Sequence, residues 1–165
     1  MSRYIINPKD KIIPSSLVRT WADSIHSQGK TIVATNGCFD LLHPGHLKTL
    51  LAASKMGDYL IVGVNSDDSV KHLKGPGRPI IHDEDRALLL ASLSFVDGVT
   101  IFTEDRPVFF FEAVQPDYYV KGGDYTLDTL DPGERTVLKK TVREFLFVPS
   151  LPGVSTTSII DKVKA

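Results

Sequence analysis

The chain contains a single cysteine, Cys38. It cannot close an intrachain disulfide, and nothing else in the sequence points to an oxidising compartment. No apolar run reaches the roughly 18 residues that a membrane span needs. Residues 1–10 mix Arg, Asn, Pro, Lys and Asp and lack the apolar stretch of a signal peptide. A cytoplasmic protein is therefore expected. Neither sign of charge is in excess: 19 Lys+Arg stand against 20 Asp+Glu, a net charge of −1. Without a global positive field, non-specific binding to DNA or RNA is a poor reading. A local basic pocket for a small phosphorylated ligand remains open. There is no internal repeat, no low-complexity tract and no linker-like Pro/Gly/Ser stretch. What remains is ordinary globular composition, 42% hydrophobic and 24% charged over 165 residues. That length predicts one domain spanning 1–165.

Hydrophobic periodicity orders the elements. Pro14-Ser15-Ser16 ahead of Leu17, Val18, Trp21, Ala22 and Ile25 predicts a capped amphipathic helix ending at Gly29, a helical extension within residues 1–30. Thr31–Thr35 is a β-branched run between glycines and reads as a buried strand. A helix follows from Gly45 to Met56, stopped by Gly57. Tyr59–Val64 is nearly all apolar, as in a strand covered on both faces. Asp67–Leu73 reads as a short helix, 74–79 as a loop, and Asp83–Phe95 as a helix with acids in its first turn. Strands are expected at Val99–Phe102, Tyr118–Val120 and Phe145–Val148. Helices are expected at Pro107–Val114, Glu134–Thr141 and Ser155–Val163. Strands alternating with helices give an α/β domain with a mostly parallel sheet. Ligands of such sheets sit beyond the strand C-termini, so the loops after strands should hold the chemistry.

The loop after the first strand reads Asn36-Gly37-Cys38-Phe39-Asp40-Leu41-Leu42-His43-Pro44-Gly45-His46. Two imidazoles three residues apart can lie on one side of a helix start, where free backbone N–H groups favour an anion. Gly37 and Gly45 let the chain approach a ligand closely. This combination suits a triphosphate. A lone His at a helix start is more often a cap or a surface residue, but a pair around Pro-Gly after a buried strand is less easily dismissed. Zinc is a weaker reading, because His-x-x-His supplies two ligands and no cluster supplies the rest. Cys38 has no evident base partner and reads as a small packed residue. Lys74 and Arg78 sit on a Gly/Pro-rich loop that could fold over a phosphate, or could be solvated cations. Arg86 lies in the first turns of a helix, where a cation opposes the dipole, and could simply pair with Asp83 or its neighbours. Lys121-Gly122-Gly123 follows a strand, where paired glycines admit a flat ligand or simply make a turn. Ser155 is a good N-cap in any case, and Thr156 and Thr157 add hydroxyls that suit phosphate.

His43-Pro44-Gly45-His46 resembles the His-x-Gly-His signature of the nucleotidyltransferase superfamily. The preceding Asn36–Leu42 fits as well, and further matches run from about residue 31 to the C-terminus. Gly63–Gly75 with Arg78-Pro79, Val120–Tyr125 and Ser155–Ile160 are most similar to the adenylyltransferase domain of bacterial ADP-heptose synthesis enzymes. The resemblance implies a Rossmann-like three-layer sandwich. It also implies transfer of an adenylyl group from ATP to a sugar 1-phosphate, most similar to the D-glycero-β-D-manno-heptose 1-phosphate reaction. By the same resemblance His43, His46, Lys74 and Arg86 are catalytic, with Arg86 facing the phosphates. Asn36, Gly37, Cys38, Phe39, Asp40, Gly45, Asn65, Arg78, Lys121, Gly122, Gly123, Asp124, Ser155, Thr156 and Thr157 bind nucleotide and phosphate. Mg²⁺ is expected to accompany the triphosphate, with no protein cage of its own. Relatives imply a homodimer. Two departures matter. Ser150–Val154 lacks the Arg that glycerol-phosphate cytidylyltransferases carry before Ser-Thr-Thr, which weighs against a cytidylyltransferase for a small phospho-alcohol. Many heptose enzymes also fuse a sugar kinase, and 165 residues leave no room for one, so a separate kinase is expected. A nucleotide-binding regulatory module is the alternative outside enzymes.

Overall fold

Five strands form the centre of the molecule: β1 (Ile32–Gly37), β2 (Tyr59–Asn65), β3 (Gly98–Phe102), β4 (Tyr118–Gly122) and β5 (Glu144–Val148). The computed structural model describes residues 7–165. The first six residues of the expected N-terminal extension lie outside the described residues. Among the described residues all strands are parallel, in the order β3-β2-β1-β4-β5. The expectation of a mostly parallel sheet thus becomes an entirely parallel one.

The β-branched sequences explain why both faces are covered. Side chains alternate across a strand. Ile32 and Ala34 of β1, Ile61 of β2 and Tyr119 of β4 pack with α1 (Val18–His26), α5 (Val108–Val114) and α6 (Pro132–Leu138). Val33, Leu60, Val62, Val64 and Val120 point the other way, onto α2 (Pro44–Ala53) and α4 (Asp83–Ala91). Two further helices, α3 (Asp67–Lys74) and α7 (Thr156–Lys164), flank the strand C-termini. Among the described residues no helix is long and apolar enough to cross a membrane.

The residues expected as an extension belong to the core. Val18, Ala22 and Ile25 of α1 are buried against the sheet, and Ile13 N–H donates to the Val99 carbonyl at the edge of β3. Some boundaries differ from the sequence reading. Ser15–Leu17 is a 3₁₀ turn ahead of α1. Helix α4 stops at Ala91 instead of Phe95. Strands β1 and β4 each run two residues further than expected, into Gly37 and Gly122. Sheet pairing carries them on, because Gly37 pairs with Val64 and Gly122 with Val148.

The chain winds from β1 through β2 to β3 on one side, then returns to place β4 and β5 on the other. Strands β1 and β4 are therefore neighbours at the topological switch point, where a crevice opens beyond their C-terminal ends. Packing of α2 over β4 is close here. A Cβ added to Gly122 would lie 2.3 Å from Thr49 Oγ1 and 3.1 Å from its Cγ2, and Thr49 is a buried residue of α2. Gly122→Ala should therefore destabilise the domain by about 1–3 kcal/mol, the scale of overpacking. Adding Thr49→Ala should return most of the loss in chemical denaturation. An unchanged midpoint in the single variant would show that α2 shifts freely.

Candidate active site

The site begins where β1 ends. The chain turns sharply after Gly37, with Phe39 in the left-handed region at φ 48° and its ring buried beside His46, 5.1 Å between centroids. His43 then takes the N-cap position of α2, in extended backbone conformation, with Pro44 in the first turn. Its Nδ1 accepts the His46 backbone N–H at 3.4 Å. A neutral ring that accepts at Nδ1 carries its proton on Nε2, which leaves a donor there. The two imidazoles stack, with centroids 3.7 Å apart and 19° between planes. Burial pushes the His46 pKa down to about 4, helped by the neighbouring His43. His43 is lowered too, first by burial. Both rings are therefore neutral at pH 7, and each has one N–H to donate. His46 Nδ1 is buried without a hydrogen-bond partner.

Across from α2 stands the start of α7. Ser155 caps it reciprocally with Ser158, the two hydroxyl–amide bonds each being 3.0 Å. The expected N-cap is thus in place, and the Ser155 hydroxyl is committed to it. Thr156 and Thr157 line the cleft beside it. The Lys48 ammonium donates to the Pro149 carbonyl at 3.0 Å and ties the loop before α7 to α2. Two helix N-termini thus converge on one cavity of about 580 Å³, and each favours an anion through free N–H groups and the helix dipole.

Among the described residues four cations line this cavity: Lys74, Arg78, Arg106 and Lys121. Lys74 is the last residue of α3 and not, as expected, the first of the loop. Arg78 is held through Nε by the Asp40 carboxylate. Asp40 also accepts the Ile80 and Ile81 amides at 2.7 and 3.0 Å. Its carboxylate is fully engaged in shaping the loop 78–81. Lys121 donates to Asn36 Oδ1 at 3.2 Å, which also accepts the buried Tyr119 hydroxyl at 2.8 Å. The Lys121 ammonium lies 5.3 Å from the Tyr125 ring centroid. Burial lowers its pKa, an effect opposed by the nearby Glu134 carboxylate.

Most residues expected from the sequence line this cavity: Asn36, Gly37, Cys38, Phe39, Asp40, His43, Gly45, His46, Asn65, Lys74, Arg78, Lys121, Gly122, Gly123, Ser155, Thr156 and Thr157. Two do not. Arg86 is fully buried and lies beneath the cleft floor. Its guanidinium donates to the Cys38 carbonyl, to the Asn65 and Ile81 carbonyls at 2.8 and 2.9 Å, and to Asp67 Oδ1 at 2.8 Å. The expectation that it faces the phosphates is corrected: position 86 is on the buried face of α4, with Ala87, Leu90 and Ala91. Asp124 is exposed and stands outside the cavity wall, where Tyr125 takes its place. Burial raises the Cys38 thiol pKa despite four nearby cations, so the cysteine is a poor nucleophile.

The sequence reading missed Arg106, Glu134 and Thr49. Arg106 was within reach of the rule used elsewhere, since it lies in the loop after β3. Glu134 reads in sequence as an ordinary first-turn acid, and only the packing of α6 turns it inward. Among the described residues no group of three or more His, Cys, Asp or Glu side chains gathers to hold a metal ion.

Comparison with known proteins identifies the family. The cytidylyltransferase-like family matches over residues 34–162. The bifunctional protein HldE of Campylobacter fetus is 49% identical over 140 residues, 85% of this chain and 29% of that one. HldE of Syntrophotalea carbinolica is 42% identical over 163 residues, 99% of this chain and 33% of that one. The chain thus spans about a third of the length of these relatives. Among solved structures, the lipopolysaccharide core biosynthesis protein of Thermoplasma volcanium superposes with a TM-score of 0.60 at 27% identity. It covers 74% of this chain and 98% of its own. Pantoate-β-alanine ligase of Francisella tularensis, 13% identical with a TM-score of 0.57 over 93% of this chain and 76% of its own, shares the fold. With the family match running from β1 to α7 and taking in the paired histidines and both helix N-termini, the chain belongs to the cytidylyltransferase-like family.

Proposed function

We propose that residues 1–165 act as one cytoplasmic nucleotidyltransferase domain, transferring an adenylyl group from ATP to D-glycero-β-D-manno-heptose 1-phosphate. The products are ADP-heptose and pyrophosphate. The observation that carries this reading is the stacked, neutral His43–His46 pair at one helix N-terminus facing a second across the switch-point cleft. The HldE relatives support it.

An oxygen of the sugar phosphate attacks the α-phosphorus, and the bond from that phosphorus to the α–β bridging oxygen breaks. A phosphate monoester has its second pKa near ~6 and is mostly dianionic at pH 7, so the attack needs no general base. What the reaction needs is charge stabilisation and alignment. His43 and His46 donate to oxygens that gain charge, His46 in the α/β region. Lys74 and Arg78 neutralise the phosphates, and Lys121 adds charge near the strand ends. Thr156 and Thr157, with the free amides of α7, hold the distal phosphates. Asn36, Gly37, Phe39 and Gly45 shape the wall against which the nucleotide lies. Mg²⁺ enters as part of the nucleotide substrate, coordinated through phosphate oxygens. The anomeric phosphate is the product of a sugar kinase. A homodimer belongs to this reading, and the exposure of Phe109 at 71% and Leu17 at 52% supports it.

The test is pyrophosphate release with this heptose phosphate, Mg²⁺ and each of the four nucleoside triphosphates. Release with ATP alone is the expected result. Release only with CTP and glycerol 3-phosphate would move the chain to the cytidylyltransferase branch. Nucleotide binding with no release from any phosphorylated acceptor would make it a regulatory module.

A further inference from the structure

Glu134 has no function in the scheme above, yet it lines the same cavity and is only 3% exposed. Its own backbone N–H is satisfied by the Asp131 cap of α6, at 3.3 Å. Its carboxylate makes no hydrogen bond and no ion pair among the described residues. Neither oxygen is among the fully sealed unpartnered atoms, and the residue lines the cleft. Burial raises its pKa, opposed by the charges of Lys121 and Arg106. Both cations have other partners: Lys121 donates to Asn36, and Arg106 faces Asp131 at 3.7 Å.

A buried carboxylate in a cleft meant for phosphates is unfavourable in two ways. It is a buried polar group with no partner, and it repels the anions the other side chains attract. An ionised carboxylate is also an acceptor only, so what it can receive is a donor. Phosphate dianions offer none. Sugar hydroxyls do, and two neighbouring hydroxyls can each donate to one carboxylate oxygen. We propose that Glu134 is a specificity-determining residue whose carboxylate accepts hydrogen bonds from vicinal hydroxyls of a bound sugar ring. The inference rests on the nucleotidyl-transfer reading and deepens it. Two sugars are available in that reaction, the ribose of the nucleotide and the acceptor.

The test is isothermal titration of wild type and Glu134→Gln with ATP, with 2′,3′-dideoxy-ATP and with the heptose phosphate, alongside thermal melts. The amide keeps the shape and removes the charge. One sugar-bearing ligand should weaken by about 10- to 100-fold, the scale of hydrogen bonds to a charged group. Loss confined to ATP, with dideoxy-ATP unaffected, identifies the ribose. Loss confined to the heptose phosphate identifies the acceptor. In either case the melting temperature should hold, because the carboxylate makes no hydrogen bond or ion pair that the amide would lose and its burial cost offsets its attraction to Lys121 and Arg106. Unchanged affinity for all three ligands overturns the proposal. So does equal loss for ATP and dideoxy-ATP with a lower melting temperature, which marks a structural carboxylate. If wild type binds ATP but releases no pyrophosphate with this acceptor, the transfer reading fails by itself. The ATP and dideoxy-ATP pair then decides for or against Glu134.

Discussion

Replacing Arg86 with alanine should remove on the order of 3–5 kcal/mol of stability, the scale for leaving the partners of a buried charge uncompensated. Domains of this kind have only about 5–15 kcal/mol in total, so the variant should be barely folded or unfolded at 37 °C. The size of the effect follows from what the guanidinium holds. It bonds the Cys38 carbonyl just past β1, the Asn65 carbonyl at the end of β2, the Ile81 carbonyl ahead of α4 and the Asp67 carboxylate at the start of α3. Four segments that build the cleft floor meet on one planar fork. Arg86→Lys should be nearly as damaging, because an ammonium on a flexible stem cannot reach three carbonyls and a carboxylate together. Urea denaturation with and without saturating nucleotide checks this. The loss should be the same size in both series. A stable variant with a raised KM for ATP would instead restore the view that Arg86 faces the phosphates.

Arg86 also shows where sequence reasoning stops. Its place on a helix, near the phosphate-binding loops, was legible. Whether position 86 points up into the cleft or down under it depends on the rotation of α4 against the sheet, which Ala87, Leu90 and Ala91 fix by packing. The α/β class and a mostly parallel sheet were legible in the alternating elements and β-branched runs, because burial on both faces demands such sequences; the order β3-β2-β1-β4-β5 was not, because strand neighbours are set by tertiary pairing. The histidine pair was legible because His43, Pro44 and Gly45 act locally: a cap, a pre-set turn and a close approach. Glu134 was not legible. An acid in a first turn is stabilising anywhere, so its sequence context carries no sign that tertiary packing will bury it. Asp40 was found as part of a motif, but its work on Arg78 and the Ile80 and Ile81 amides depends on a loop some 40 residues away in sequence. Contacts of that kind leave no local pattern.

Replacing His46 with alanine should lower kcat by on the order of 10²–10³, the scale for removing one preorganised donor to a developing oxyanion, while the protein stays folded. The ring is neutral at rest because burial and the stacked His43 hold its pKa at about 4. A triphosphate beside it reverses that environment and favours proton uptake, so the interaction strengthens where negative charge is greatest. The low pKa has its own signature in the free protein. Between pH 6.5 and about 4 the unfolded chain binds a proton at this position and the folded chain does not. Stability from the neutral ring is therefore complete above pH 6.5 and is lost as the pH falls toward 4. His46→Ala should flatten that part of the stability-against-pH curve and leave the limb above pH 7 parallel to wild type. His46→Asn, which retains a donor, should recover part of kcat but none of the titration. The two readouts separate the roles. A variant that loses the acid slope but keeps normal turnover shows a buried structural histidine, whereas loss of both places the ring at the reacting phosphates.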